Sequence, residues 1–174
     1  MNEEKLVILL KAHERRAFAH LYDQYGAALY GVILRVVKAP EVAQEVLQDS
    51  FVKIWKNMDS YDPAKGSLFT WILQIARNTA IDKIRSKEYK ESVLTNPIAL
   101  NHSDAQKVIR SPVEYTGLES IVENLKPTLR EIIDLIYFQG YTHVEAAEAL
   151  ALPLGTVKTR VKIAIRELRK LISN

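Results

Sequence analysis

The chain contains no cysteine. Disulfides, thiolate zinc sites and thiol redox switching are thereby excluded. Glycine and proline are scarce, six of each in 174 residues. That leaves room for long helices and argues against a loop-rich all-β fold. The apolar run Leu6–Leu10 is too short for a membrane span or a secretory leader, and the residues before it are acidic where a leader is basic. A cytoplasmic location is expected. Catalytic sets are missing as well. His13, His20, His102 and His143 are scattered, with neither HExxH nor HxxxH spacing. No GxxxxGKS/T or GxGxxG loop is present to cradle a nucleotide. The expectation is a protein that is not an enzyme, with no cofactor, no metal and no small-molecule substrate.

What is present is helical periodicity and unevenly placed charge. The formal net charge is only +3, but its distribution is informative. From Pro153 to the end there are six Lys/Arg against one acid, Glu167. Arg77–Lys90 holds five basic residues against Asp82 and Glu88, whereas Glu41–Asp62 holds five acids against Lys53 and Lys56. Two basic patches and a separate acidic segment suggest two nucleic-acid contacts and a separate protein-binding face.

The fold expected is all-α, with two small helical domains joined by a flexible linker. Residues 3–38 read as helix with a break near His13, and Leu21, Tyr25, Leu29, Val32 and Val36 form an apolar stripe. Lys38-Ala39-Pro40 ends it, because the residue before proline is pushed out of the α region. A second helix runs from Pro40 or Glu41 to about Asn57. It buries Val42, Val46, Phe51, Ile54 and Trp55, with Gln44, Glu45, Gln48, Asp49 and Lys53 on its other side. After a turn-rich segment at 59–66, Ser67 caps a third helix that is expected to reach Lys90. Its buried side is Leu68, Trp71, Ile72, Ile75, Thr79 and Ile81. Residues 91–116 have no sustained periodicity and read as a linker, separating a domain at 1–90 from one at 117–174.

The second domain reads as four helices: Leu118–Leu125, then Pro127 to Phe138, then a short helix from the N-cap Thr142 to about Leu150, then Thr156–Ile172. Glu145 completes a capping box with Thr142, and Gly140 is a helix stop. A short helix, a tight turn and a longer basic helix is the helix-turn-helix pattern, whose second helix enters a DNA major groove. In the last helix Val157, Val161, Ala164, Leu168 and Leu171 fall on one face, with Ile165 and Ile172 at its edge. Lys158, Thr159, Lys162, Arg166 and Arg169 fall opposite. Lys158, Thr159 and Lys162, with Thr156, are placed to read base edges. Arg166, Arg169 and Lys170 lie where phosphate contact is expected, and Arg160 flanks the core stripe in reach of an acid or a phosphate.

The residues also resemble a known family. The stretch Leu125-Lys126-Pro127, Arg130-Glu131-Ile132-Ile133, Gly140-Tyr141-Thr142, Glu145-Ala146-Ala147 and Gly155-Thr156-Val157-Lys158-Thr159-Arg160 resembles region 4 of extracytoplasmic-function (ECF) sigma factors. Gln48-Asp49-Ser50-Phe51-Val52-Lys53-Ile54-Trp55 resembles region 2.2. The stretch Phe69-Thr70-Trp71-Ile72-Leu73-Gln74-Ile75-Ala76-Arg77-Asn78, with Asp82 and Arg85, resembles regions 2.3 and 2.4. The order and spacing match over nearly the whole chain outside the linker.

This resemblance implies that the chain binds core RNA polymerase, directs it to promoters and helps open the DNA. It implies polymerase docking through Glu45, Gln48, Asp49 and Lys53. It also implies minus-ten strand binding by Arg77, Asn78, Asp82, Lys83 and Arg85, with Tyr61 and Lys65 in the loop that completes the pocket. An unpaired base must be held by stacking and edge hydrogen bonds, and its backbone by cations. On the residues alone, Trp71 reads as core before stacking platform, and Asp82 can pair with Arg77 or Arg85. Region 4 would hold the minus-thirty-five duplex. Ile163 and Ile165 stand where the family often has basic residues, so base preference does not transfer. The resemblance further implies an anti-sigma partner, commonly membrane-bound. Two rivals fit part of the pattern: a helix-turn-helix regulator with an N-terminal sensing or dimerisation domain, and a helical interaction protein without DNA binding.

Overall fold

A computed structural model describes residues 2–86, 89–90, 122 and 124–172. Every regular element among them is helical, and the chain divides into two compact units, Met1–Glu114 and Tyr115–Asn174. The expected linker, residues 91–116, and most of the expected helix Leu118–Leu125 lie outside the described residues.

The first unit is built from α1 (Glu3–Lys11), α2 (Arg15–Val37), α3 (Pro40–Asn57) and α4 (Leu68–Arg85), with a short 3-10 turn at Met58–Ser60. The break expected near His13 is there. His13 takes a positive φ of 54°, and the Glu14 amide returns to the Leu9 carbonyl at 3.0 Å. α2 stops where expected: Lys38 closes it in the left-handed conformation, and Ala39 is extended, as a residue before proline must be. Pro40 then opens α3, where its missing N–H costs nothing. Ser67 caps α4 through the Thr70 amide.

α2, α3 and α4 pack on one another in pairs, and α1 lies against α2 and the 3-10 turn. Leu6, Leu10, Leu21, Leu29, Ile33, Ile54, Leu68, Phe69, Ile72 and Leu73 are fully buried between them, each contributing about 1.5–3 kcal/mol by burial. The buried Ser50 hydroxyl is satisfied by the Val46 carbonyl at 2.6 Å.

The third helix is shorter than the sequence predicts. It ends at Arg85, because Ser86 turns to an extended ψ of 148° and donates its hydroxyl to the Lys83 carbonyl at 2.7 Å. The same hydroxyl accepts the Tyr89 amide, and the Tyr89 phenol donates to the Val37 carbonyl at 2.5 Å. The side-chain cap at Ser86 competes with helix continuation and redirects the chain toward the end of α2.

The second unit holds α5 (Pro127–Ile133), α6 (His143–Ala149) and α7 (Leu154–Ile172). α5 does not run to Phe138 as an α-helix. It widens into a π turn over Asp134–Phe138, with the Gln139 amide bonded to the Asp134 carbonyl, and Ile136 and Tyr137 both face inward. Gly140, at φ 78°, is the stop. The Thr142–Glu145 capping box is fully formed. α7 begins two residues before the expected Thr156. The Pro153 carbonyl accepts both the Thr156 and Val157 amides, at 2.9 and 3.1 Å, which places Leu154 and Gly155 inside the first turn. Val157, Val161, Ala164, Ile165 and Leu168 are buried, and α7 packs on α5 and α6.

Candidate nucleic-acid interface

α6 and α7 are joined by a turn centred on Ala151, which takes a positive φ of 52°. The Ala151 amide bonds to the Glu148 carbonyl and the Leu152 amide to that of Ala147. This geometry redirects the chain within four residues and leaves one face of α7 uncovered. Lys158, Thr159, Lys162, Arg166 and Lys170 are exposed on that face, whereas Thr156, Arg160, Ile163 and Arg169 are half-buried at its margins. Glu167 sits 3.6 Å from Arg166 and 3.2 Å from Lys170. Lys158 and Lys162 have no acidic partner among the described residues, so the N-terminal half of the face carries the less neutralised charge.

Thr159 donates its hydroxyl to the Gly155 carbonyl at 2.9 Å. Outward it offers lone pairs and a methyl group. Two exposed apolar side chains escaped the sequence reading: Val144 in the first turn of α6 and Leu154 at the start of α7, 53% and 38% exposed. Such groups suit thymine methyls or another protein surface. An exposed residue at a helix start has no periodic signal, which is why only the structure finds them.

In the first unit the expected strand-binding residues separate into groups. Trp71, Ile75, Asn78, Asp82 and Arg85 follow the three- and four-residue spacing of one helical stripe on α4. Asn78, Asp82 and Arg85 are exposed, and Trp71 and Ile75 are half-buried. Arg77 lies beside the stripe and donates to Asn78 Oδ1 at 3.1 Å. Asp82 forms no ion pair among the described residues, so the pairing foreseen with Arg77 or Arg85 is not made.

Lys83 leaves this group. It turns toward α3 and bonds Glu45 at 2.8 Å. Tyr61 leaves it too. It is 3% exposed, donates to the Gly66 carbonyl at 3.0 Å and packs 5.4 Å from the Trp71 ring. Tyr61 therefore braces the 61–67 loop and does not present a stacking face. Lys65 is exposed at the tip of that loop, where Asp62 accepts the Ala64 amide.

The polar face expected on α3 is present, with Glu45, Gln48 and Asp49 exposed. Val52 shares that face at 50% exposure. Tyr22, 47% exposed on α2, leans on Phe51 at 4.9 Å. Both are apolar residues that periodicity alone assigns to no face. Lys53 departs from the face. Its ammonium donates to Thr79 Oγ1 on α4 at 3.1 Å. It lines an open cavity of about 290 Å³ with Asn57, Ser60, Trp71, Ile75, Asn78 and Thr79.

The described residues thus present an acidic, partly apolar face on α3, a polar stripe with Arg77 and Arg85 on α4, and a basic face on α7. Residues 21–89 match the family described as Sigma-70 region 2, and residues 121–170 match Sigma-70, region 4. The chain is 32% identical over 163 residues to the ECF RNA polymerase sigma factor SigK of Mycolicibacterium vanbaalenii, covering 91% of this chain and 83% of that protein. It is 30% identical over 173 residues to SigK of Mycobacterium tuberculosis, covering 97% and 92%. Among solved structures, SigE of Rhodobacter sphaeroides, crystallised with the anti-sigma ChrR, aligns over 98% of this chain and 97% of its own. Its TM-score of 0.54 and 24% identity support the fold.

The chain belongs to the sigma-70 family of RNA polymerase sigma factors, in its ECF group. It binds core RNA polymerase and directs promoter-specific initiation, with region 2 serving the minus-ten element and region 4 the minus-thirty-five element. The rival reading as a helix-turn-helix regulator is not favoured.

Proposed function

We propose a division of labour among the named surfaces. The exposed face of α3, with Glu45, Gln48, Asp49 and Val52, docks on polymerase. The outer stripe of α4, with Arg77, Asn78, Asp82 and Arg85 and the loop residue Lys65, holds the separated minus-ten strand. Lys83 supports the stripe through Glu45, and Tyr61 supports the loop. The α7 face, with Thr156, Lys158, Thr159, Lys162 and Arg160, takes the minus-thirty-five duplex, while Arg166 and Arg169 meet phosphates farther along. The working domains are 1–90 and 117–174, joined by residues 91–116.

The observation that carries this reading is the separation of one acidic face from two basic ones on a chain matched by both sigma regions. Polymerase supplies the chemistry, and this chain supplies recognition and strand opening in the cytoplasm. Two DNA-binding surfaces on one chain can be covered together by a single inhibitor, and SigE of Rhodobacter sphaeroides is solved with its anti-sigma ChrR. An anti-sigma protein, held at the membrane or free, is accordingly the proposed regulator.

Addition of the chain to sigma-free core polymerase should give promoter-specific run-off transcripts. Failure of core polymerase to bind it would refute the assignment of surfaces.

A further inference from the structure

We propose that α1 clasps the 61–67 loop at both ends, and that Glu3 is the positioning residue that fixes the loop's exit. This rests on the reading of that loop, through Lys65, as part of the strand contact, and adds what holds it in place.

The outer part of the loop has little support of its own. Pro63, Ala64 and Lys65 are exposed. Chain neighbours apart, no described residue comes within 4 Å of the position a Gly66 Cβ would take. The bonds inside the loop are local: the Lys65 amide to the Asp62 carbonyl at 3.0 Å, the Ala64 amide to Asp62 Oδ1 at 2.9 Å, and the Tyr61 phenol to the Gly66 carbonyl at 3.0 Å. Tyr61 seats the first residue on Trp71. The exit is seated from α1.

The Leu68 amide, the first of α4, donates to Glu3 Oε1 at 3.2 Å. That N–H has no acceptor within its own helix. The N-cap Ser67 is engaged with the Thr70 amide and hydroxyl. Glu3 is also the first residue of α1. One carboxylate thus stands at two helix N-termini, and the partial positive charge of each favours it there. Its support does not fray. Asn2 caps α1 by accepting the Lys5 amide at 2.9 Å, and Leu6 and Leu10 are fully buried.

The other end of α1 meets the entry to the loop. α1 packs on the 3-10 turn Met58–Ser60, whose Met58 is buried. In the corner that follows α1, His13 Nε2 lies 3.8 Å from Asp59 Oδ2, and the His13 ring meets Trp55 edge-on at 4.9 Å. One helix therefore holds the segment before the loop and the residue after it. Lys65 stands three residues from the Glu3 contact, so a shift in the first turn of α4 displaces it.

The test uses the full chain assembled with core polymerase and compares Glu3→Ala, Glu3→Gln and Lys65→Ala. Losing an acceptor at a helix start should speed hydrogen exchange at the Leu68 amide by about fivefold in Glu3→Ala. Affinity for an unpaired minus-ten strand follows the fraction of loop held in its binding position, and should fall by about two- to fivefold. Glu3→Gln keeps the acceptor oxygen and should restore most of both. Core binding and minus-thirty-five duplex binding should be unchanged in both Glu3 variants. Undiminished strand binding by Lys65→Ala would sink the reading of the loop itself. Strand binding weakened in Lys65→Ala but intact in Glu3→Ala would overturn the clasp alone. Equal loss in Glu3→Gln, or a parallel loss of core binding, would mean that Glu3 only stabilises α1 and would overturn its positioning role.

Discussion

Lys158 and Lys162 lie on the exposed face of α7 without an acidic partner among the described residues, whereas Arg166 and Lys170 share Glu167. Charge that is not internally neutralised is the charge available to DNA. Lys158→Ala or Lys162→Ala should weaken binding to a minus-thirty-five duplex by about 1–3 kcal/mol and leave core binding intact. Asp49→Ala should do the reverse. Fluorescence anisotropy on duplex DNA beside a core-polymerase pull-down separates the two effects, and equal loss of both activities in every variant would refute the separation. Lys53 and Lys83 show the limit of reasoning at this scale. Both are basic and both lie on polar faces by projection, yet one reaches Thr79 and the other Glu45. A projection gives the direction of Cβ; it does not give the neighbour a long side chain finds.

Among elements, the α6–α7 turn is one of three places where a residue other than glycine takes a positive φ among the described residues. Ala151 holds φ 52° without the freedom of glycine, and an L-residue in that region carries about 1–2 kcal/mol of strain. Ala151→Gly should raise stability by about 1 kcal/mol in urea unfolding and leave duplex affinity unchanged; a loss of stability would contradict the strain. At the end of the first unit, Tyr89 ties the chain to α2 through the Val37 carbonyl. Burial raises its phenol pKa above the ordinary 10.0, so the folded state favours the neutral form. Its contribution is fully present below pH 10 and is lost as pH rises through the raised value. Tyr89→Phe should cost about 1 kcal/mol at pH 8, and the gap from the unmodified protein should close in alkaline unfolding titrations. A gap that persists at high pH would mean the hydrogen bond is not its source.

At the scale of the whole molecule, both DNA contacts work against the phosphate backbone, so promoter affinity should fall steeply with salt. Replacing Arg166 and Arg169 together by Ala should flatten the dependence of log K on log salt for the duplex by roughly 2. An unchanged slope would mean that neither arginine meets phosphate. The legibility of the molecule follows the same division. Helix existence, the Lys38-Ala39-Pro40 corner, the Ser67 cap and the Thr142 capping box were readable because each is a local signal a few residues long. The end of α4 and the start of α7 were misjudged, because Ser86 and Pro153 act through hydrogen bonds that compete with propensity.

The sequence by itself determined an all-α chain, the buried stripes of α2 and α7, two basic segments and a separate acidic one, and membership of the family. Periodicity, charge and motif order are properties of residues taken in line. The tertiary structure decided which polar groups face one another: Lys53 with Thr79, Lys83 with Glu45, Tyr61 with Gly66, and Asn78 held in one orientation by Arg77 and Gln74. Those contacts span from one residue to nearly forty. The two longest, Lys53 with Thr79 and Lys83 with Glu45, arise only when the packed core brings α3 against α4, and the shorter ones depend on which atoms a folded side chain can reach.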